Sequence, residues 1–218
     1  MRIVLMGPPG AGKGTQAKRL AEQFGMKHLS SGDILRAEKA GGSELGKTLA
    51  KYMDAGQLVP DDVVVSVMAK ALTSDGSAGL LLDGFPRTVP QAQSLDAQLA
   101  QAGKPLDAVV VMTADESLIL NRITGRWSCP ACGEVYHTVT MPPKQAGVCD
   151  KCGAALTQRA DDTEAVVRKR LDAYNRQTEP VIGYYRSRGD IKMIEVDGGA
   201  PAAKVTADIA SALKSIKA

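Results

Sequence analysis

The chain has 218 residues, of which 44% are apolar, enough for one α/β domain with insertions and a sizeable core. Its 27 Lys and Arg residues against 24 Asp and Glu give a net charge of +3, too weak a basic balance for a dedicated nucleic-acid-binding protein. No apolar run approaches the roughly 18 residues of a membrane span, and the apolar start is too short for a signal peptide, so we expect a cytoplasmic protein.

The first predicted element is a buried strand that runs into a glycine-rich turn opening a helix. The apolar run Ile3–Leu5 is typical of a parallel strand covered on both faces. The spacing G-x4-G-K over residues 7–13 matches a phosphate-binding loop, in which backbone N–H groups and the helix dipole bind a polyphosphate. Lys13 adds a mobile cation that can reach the β- and γ-phosphates. The hydroxyl of this pattern comes one place late, at Thr15, because Gly14 occupies its usual position.

The segment after this loop predicts one short strand and several helices. A helix from the loop ends at Gly25, and a strand near Lys27–Leu29 follows. Ser31 is a predicted helix cap, with Arg36 about one turn inside that helix. Two further helices are expected to begin at Ser43 and at Pro60. Residues 30–59 therefore look like a small helical insertion between two strands.

The second strand of functional interest is the apolar run Leu80–Leu82, which ends in a carboxylate at Asp83. Because ligands collect at the carboxyl ends of parallel strands, we expect Asp83 beside the phosphate loop, holding water on a magnesium ion. Arg87 should lie there too. The alternative is that Asp83 caps the next turn and that Arg87 is a solvated charge.

The remaining strands alternate with helical patterns. Apolar strands are predicted at 109–112 and 191–196. The helical patterns cover 90–102, 115–124, 162–187 and 201–216. This alternation predicts an α/β fold with a doubly wound parallel sheet and right-handed crossovers.

Four cysteines form two Cys-x2-Cys pairs, Cys129 with Cys132 and Cys149 with Cys152. This spacing is typical of a structural zinc site, and disulfides are disfavoured in a cytosolic chain. The enclosed loop has few large apolar residues, so a metal would stabilise it. Four thiolates close the shell, which makes the ion structural rather than catalytic. His137 is the alternative ligand, but we expect it to be an ordinary, partly exposed histidine.

Together these motifs resemble the adenylate kinases of the long-lid type over essentially the full length. The resemblance also rests on the segments 30–36, 122–126, 159–162 and 168–170 and on Gln91. It implies a five-stranded core made of residues 1–29, 60–124 and 163–218, an AMP-binding insertion at 30–59 and a zinc-binding lid at 125–162. Ser31 departs from the family pattern, since adenylate-specific members usually carry threonine there, but the hydroxyl is kept.

The activity that the resemblance implies is reversible transfer of the γ-phosphoryl group of MgATP to AMP, giving two ADP, by a monomer. No general base is required, because the attacking phosphate oxygen of AMP is already anionic. Arginine suits the work because its planar fork pairs bidentately with phosphate oxygens and stays charged. The residues implied around the reacting phosphates are Lys13, Arg87, Arg126, Arg159 and Arg170.

The resemblance also implies separate contacts for the two nucleotides. Those for ATP come from Gly10, Ala11, Gly12, Lys13, Gly14, Thr15, Arg122 near the adenine, Arg126, Val135, Tyr136 and Ala200. Those for AMP come from Ser31, Arg36, Gln57, Leu58, Val59, Gly84, Phe85, Pro86, Arg87, Gln91, Arg159 and Arg170.

The sequence also allows hypotheses that place the chain in other functional classes. A zinc ribbon can bind nucleic acid or protein, but residues 129–152 balance two lysines against two carboxylates and form no basic stripe. A regulatory phosphate-loop switch or a transporter subunit would not need a second phosphate-binding insertion. A kinase for uridylate, cytidylate or guanylate is the nearest alternative.

Overall fold

The elements of the fold come from a computed structural model, which describes residues 1–73 and 79–216. In chain order they are β1 (Arg2–Met6), α1 (Lys13–Phe24), β2 (Lys27–Ser30), α2 (Ser31–Ala40), α3 (Glu44–Asp54), α4 (Asp61–Thr73), β3 (Leu80–Asp83), α5 (Val89–Gln101), β4 (Ala108–Thr113), α6 (Glu116–Thr124), β5 (Arg126–Ser128), β6 (Val135–His137), α7 (Glu164–Ala173), a π-helical turn (Tyr174–Thr178), α8 (Glu179–Arg188), β7 (Lys192–Asp197) and α9 (Ala202–Lys214).

Five strands form one parallel sheet in the order β2-β3-β1-β4-β7, which confirms the predicted fold class. The central strand β1 has β3 on one side and β4 on the other, so the strand order changes direction at its carboxyl end. Crevices at such switch points are where open α/β sheets bind their ligands. The phosphate loop leaves β1 at this point.

Both faces of the sheet are buried, which explains why its strands are continuous apolar runs. Along β1, Val4 and Met6 face a core that contains Leu95 of α5 and Tyr185 of α8. Ile3 and Leu5 face a second core, formed with helices α1 and α9. Successive side chains of a strand point to opposite faces, so one strand supplies both cores.

Most of the predicted helix starts are confirmed, but the cap of α2 is one residue earlier than predicted. The hydroxyl of Ser30, not Ser31, accepts the backbone N–H of Asp33 at 3.2 Å. Ser31 is instead the first helical residue, and its hydroxyl donates to the carbonyl of Gly84 at 2.5 Å. Because β2 pairs with β3, this hydroxyl faces the turn after β3 rather than its own helix.

The long helical pattern predicted at 162–187 is interrupted. The chain forms α7, the π-helical turn and then α8. Pro180 has no N–H to donate to the carbonyl four residues earlier, so regular α-helical bonding cannot continue through it.

Residues 125–162 contain the antiparallel pair β5–β6, in which Trp127 faces Tyr136. An isolated bridge between Ser128 and Thr157 ties this hairpin to the segment that follows, and a bridge between Val148 and Ala155 lies within that segment. Among the described residues, no helix combines the length and the apolar character that crossing a membrane requires.

Candidate active site

The phosphate loop lies against the end of β4 and has the backbone geometry of an anion cradle. Gly7, Gly10 and Gly12 have φ values of 144°, 80° and 95°, which residues with side chains rarely adopt. A Cβ on Gly7 would lie 2.3 Å from the carbonyl oxygen of Met112, so only glycine fits there. Helix α1 begins at Lys13, and its first N–H groups are therefore free to face an anion.

Lys13 places its ammonium group inside the cleft. It donates to the carbonyls of Gly7 at 2.7 Å and Pro8 at 2.8 Å, which belong to its own loop. Burial lowers the pKa of Lys13 to about 8, while the carboxylate of Asp83 partly opposes the shift and nearby arginines add to it. A bound polyphosphate would stabilise this desolvated positive charge.

Asp83 lies where the strand order predicted, beside the phosphate loop. It pairs in register with Leu5 at the end of β1, and a Cβ on Gly14 would lie 3.5 Å from its carboxylate. Its Oδ2 atom is also 3.6 Å from Nε2 of His28 on β2. Thr15, the displaced hydroxyl of the loop pattern, is exposed in the first turn of α1.

The turn after β3 fixes Arg87 through a network that the sequence did not predict. Nε of Arg87 donates to Gly84 O at 2.7 Å, and its backbone N–H donates to Oε1 of Gln91 at 2.8 Å. Gln91 is 1% exposed, and its Nε2 donates to Asp61 at 2.7 Å. The hydroxyl of Thr88 donates to the same carboxylate at 2.9 Å. Asp61 carried no functional signal in the sequence beyond its place in the first turn of α4.

Two further arginines, Arg126 and Arg170, are held by aspartates, and a third, Arg159, lies close enough to Arg126 for their charges to repel. Arg126 pairs bidentately with Asp162, at 2.8 Å and 2.5 Å, and Asp162 is 2% exposed. Arg170 donates to Asp161 at 2.9 Å. Burial, followed by repulsion from Arg126, lowers the pKa of Arg159 to about 10. These carboxylates hold guanidinium forks in the planar geometry that a phosphate group also accepts.

A single cleft joins the phosphate loop to the segment 30–59. It brings together most of the residues that the resemblance assigns to AMP, including Gln57, Leu58 and Val59. Phe85 and Arg159 are not among the lining residues, and the side chain of Phe85 is buried in the core next to the sheet. The predicted site residues on the cleft wall are Lys13, Ser31, Arg36, Gln57, Leu58, Val59, Gly84, Pro86, Arg87, Gln91 and Arg170.

The residues assigned to the ATP base lie around the loop between β7 and α9. Nη1 of Arg122 donates to Gly198 O at 2.7 Å and lies 3.5 Å from Gly10 O, so it links that loop to the phosphate loop. Ala200 belongs to the same loop. On the lid, Tyr136 is 6% exposed and its hydroxyl accepts the N–H of Asp150 at 2.8 Å, so its side chain faces the lid interior. Val135 lies next to it on β6, partly buried.

The four cysteines meet in the lid with the geometry of one tetrahedral metal site. Their sulfur atoms all lie within 4.8 Å of one another, and the Cys129–Cys152 and Cys132–Cys149 distances are 3.4 Å and 3.5 Å. Zinc–sulfur bonds of about 2.3 Å in a tetrahedron place sulfurs about 3.8 Å apart, whereas a disulfide needs about 2.05 Å. The set of soft, deprotonatable donors therefore fits a bound metal.

Two matching turns present these sulfurs. In one, the carbonyl of Cys129 accepts the N–H of Gly133 at 2.9 Å, and in the other the carbonyl of Cys149 accepts that of Gly153 at 2.8 Å. Both glycines have positive φ, 69° and 75°, which the turn requires. His137 is not among the clustered ligands, but the prediction that it is partly exposed is wrong, since it is buried.

Comparison with known proteins assigns this architecture to one family. A sequence model described as adenylate kinase matches residues 5–190. Curated relatives named adenylate kinase include one from Desulforudis audaxviator, 48% identical over 98% of this chain and 99% of its own length. Relatives from Archaeoglobus fulgidus and Methanococcoides burtonii, each also named adenylate kinase, are 46% and 48% identical over the whole of both chains.

Proposed function

The chain belongs to the adenylate kinase family, and from this premise we propose that it catalyses reversible transfer of the γ-phosphoryl group of MgATP to AMP, giving two ADP. One observation carries the proposal: the phosphate loop shares one cleft with a second group of cations, Arg36, Arg87 and Arg170, which would form a second phosphate site. Two phosphate sites facing each other are what transfer between two nucleotides requires, and a hydrolase or switch needs only one.

The positive side chains at the centre of the cleft account for the catalysis. Lys13, Arg87 and Arg170 lie close enough for their charges to affect one another. In the free protein this repulsion is offset by Asp83, Asp161 and the carbonyls of the loop. When phosphates bind, the cations can neutralise charge that spreads over the transferring group, and no proton has to be removed from the attacking oxygen.

We assign the AMP site to the insertion 30–59 and the turn after β3. Arg36 and Arg87 would bind the phosphate of AMP, and Gln57, Leu58 and Val59 would form a wall of the base pocket. Gln91 uses its oxygen and one N–H within the protein, which leaves its second N–H for the base. Ser31 retains the hydroxyl that the family pattern places here. Its bond to Gly84 O would fix the pocket floor.

We assign ATP to the phosphate loop, the β7–α9 loop and the lid 125–162. The core then comprises residues 1–29, 60–124 and 163–218. Arg36 and Asp33 of the insertion lie close enough to Arg159 of the lid for their charges to affect it, which supports placing the two segments opposite each other. Closure of both segments over the substrates would exclude water from the transferring group. Magnesium would arrive with the nucleotide, supply Lewis-acid neutralisation of the phosphates, and be positioned by Asp83 through water.

We assign zinc to the four cysteines, as a structural ion. A closed shell of four thiolates leaves no position for a substrate or a water molecule, so the ion would stabilise the lid without joining the reaction. A reduced thiolate site suits the cytoplasm, where we place the protein as a monomer.

The preference for adenine separates this proposal from a kinase for another monophosphate. We expect AMP to be favoured over UMP by well over tenfold in kcat/KM, because a pocket with buried hydrogen-bonding groups leaves them unpaired with the wrong base. A coupled assay with AMP, UMP, CMP and GMP, each with MgATP, measures this directly. Equal use of AMP and UMP would show that the chain serves another nucleotide. Ser31→Thr, which keeps the hydroxyl, is the matched variant and should keep the preference.

The lowered pKa of Lys13 predicts that kcat/KM for ATP decreases on the alkaline side of the pH profile. In the free protein this pKa is about 8, so kcat/KM for ATP should fall above that pH as the loop loses its cation. Bound polyphosphate favours the charged form, so kcat should stay level to a higher pH. Between this pKa and the ordinary one of 10.5 the folded protein binds fewer protons than the unfolded chain, so this group makes unfolding less favourable as pH rises.

The control for this profile is Lys13→Arg, which cannot lose its charge in the same range. Whatever its absolute rate, this variant should show no fall in kcat/KM near pH 8. If the decrease persists unchanged in Lys13→Arg, another group is responsible for it.

A further inference from the structure

His137, on the lid strand β6, is a buried side chain that lies outside both the metal cluster and the cleft. It is 8% exposed. Its Nδ1 atom lies 3.1 Å from the backbone nitrogens of both Val139 and Thr140. A ring nitrogen that accepts two N–H donors carries no proton, so these bonds assign the ring proton to Nε2. That Nε2–H donates to the carbonyl of Asn121 at 3.1 Å.

The carbonyl of Asn121 belongs to the last turn of α6. It also accepts the N–H of Gly125 at 3.1 Å, so both of its lone pairs are used. A second lid side chain, Gln158, donates to the carbonyl of Thr124 at 2.7 Å. Two lid side chains, His137 and Gln158, thus bond to carbonyls at the same end of α6.

Gly125, the link between α6 and the lid, packs directly against the ring of His137. A Cβ at this position would lie 2.4 Å from Nε2 and 2.7 Å from Cε1. Any residue can adopt its φ of −89°, so the backbone conformation does not require glycine here. Glycine is needed because it has no Cβ, which leaves room for the imidazole ring. The next residue, Arg126, pairs across the hairpin with His137, and Thr138 N–H donates to Gly125 O at 2.9 Å.

We propose that His137 is a positioning residue, which straps the lid hairpin to the end of α6 and so sets the place of Arg126 in the cleft. The kinetic part of this inference rests on the proposed function. Arg126 pairs with Asp162 in bidentate geometry. A guanidinium can bind a phosphate group in this bidentate way only if it is held at the right distance and orientation. A displacement of about 1 Å at a positioning contact can cost roughly 100-fold in rate.

Two conservative variants separate the bond of His137 to Asn121 from its bonds within the turn after β6. In His137→Asn the side-chain oxygen can replace Nδ1 and accept from Val139 and Thr140, but it is too short to reach Asn121. We expect normal metal content, a melting temperature lowered by only a few degrees because one buried hydrogen bond is lost, and a KM for AMP within about twofold, with kcat reduced about tenfold. His137→Gln places a donor near Nε2 and should retain more of kcat than His137→Asn. Thr138→Ala, at the exposed neighbouring position, is the matched control and should behave as the wild type.

Gly125→Ala tests the same contact from the other side. The added Cβ must displace the ring, so this variant should show the same fall in kcat as His137→Asn. In the double variant with His137→Ala there is no ring to meet, so the added Cβ should cost much less than it does alone. Additive losses would show that Gly125 and His137 act independently, and would overturn the proposal.

Hydrogen exchange of the Thr138 amide, which donates to Gly125 O, measures the stability of this contact without any assay of activity. It should exchange faster in His137→Asn and in Gly125→Ala than in the wild type. If the wild-type protein transfers no phosphoryl group, the proposed function fails while this measurement still tests the strap. The strap itself is overturned if both variants keep wild-type exchange and kcat, or if kcat falls only in variants that have lost the metal.

Discussion

Lys13→Met should lower turnover at least 100-fold, a loss of roughly 3 kcal/mol of transition-state stabilisation. Lys13 is the cation of the phosphate loop, and it bonds to two carbonyls of that loop, which a phosphate can replace. Methionine keeps the length and apolar stem but removes the charge. Turnover is measured with saturating MgATP and AMP, and the fold is checked by the melting temperature.

The control for this variant removes a lysine elsewhere. Lys214→Met lies at an exposed position in the last turn of α9 and should leave turnover unchanged. The melting temperature of Lys13→Met should not fall, because the charge that it removes is a buried one with a lowered pKa. A loss of under fivefold in a folded Lys13→Met protein would contradict the assigned reaction.

Replacing Cys129 and Cys132 by serine should release the metal and lower the melting temperature sharply. Metal binding contributes on the order of 10 kcal/mol gross in isolated zinc modules, and the lid interior offers little else, since Cys129 and Cys149 themselves form much of its small apolar cluster. Measurable activity should remain at low temperature, because no cysteine contacts the reacting groups. Metal content is measured by atomic absorption after dialysis and stability by calorimetry.

Two controls separate this metal from magnesium. Val139→Ser changes an exposed lid residue, 79% exposed, and should leave the metal in place. A mild chelator added to the wild type should stop catalysis at once, and magnesium should restore it, while the dialysis-resistant metal stays bound. The assignment is falsified if the wild type carries no stoichiometric metal, or if the double serine variant is fully folded but inactive.

Features of the site that depend on spacing within one segment were predictable. The turn from β1 to α1 needs glycines and a lysine at fixed positions, the strand before Asp83 needs an apolar run, and a metal knuckle needs two cysteines three positions apart. Each of these constraints acts over a few residues, so it leaves a readable pattern. Their order along the chain was enough to predict the parallel sheet and the family.

The contacts that hold the site in place were decided by the tertiary structure. Asp61 meets Gln91 across 30 positions of the chain, and Arg126 meets Asp162 across 36. No local period encodes such pairs, because they form only when separate elements pack together. For the same reason the hydroxyl of Ser31 bonds Gly84 instead of capping α2 as predicted, and His137 is buried against α6 instead of partly exposed. The sequence by itself thus determined which groups the protein brings to its cleft, and packing between distant segments decided how each is held.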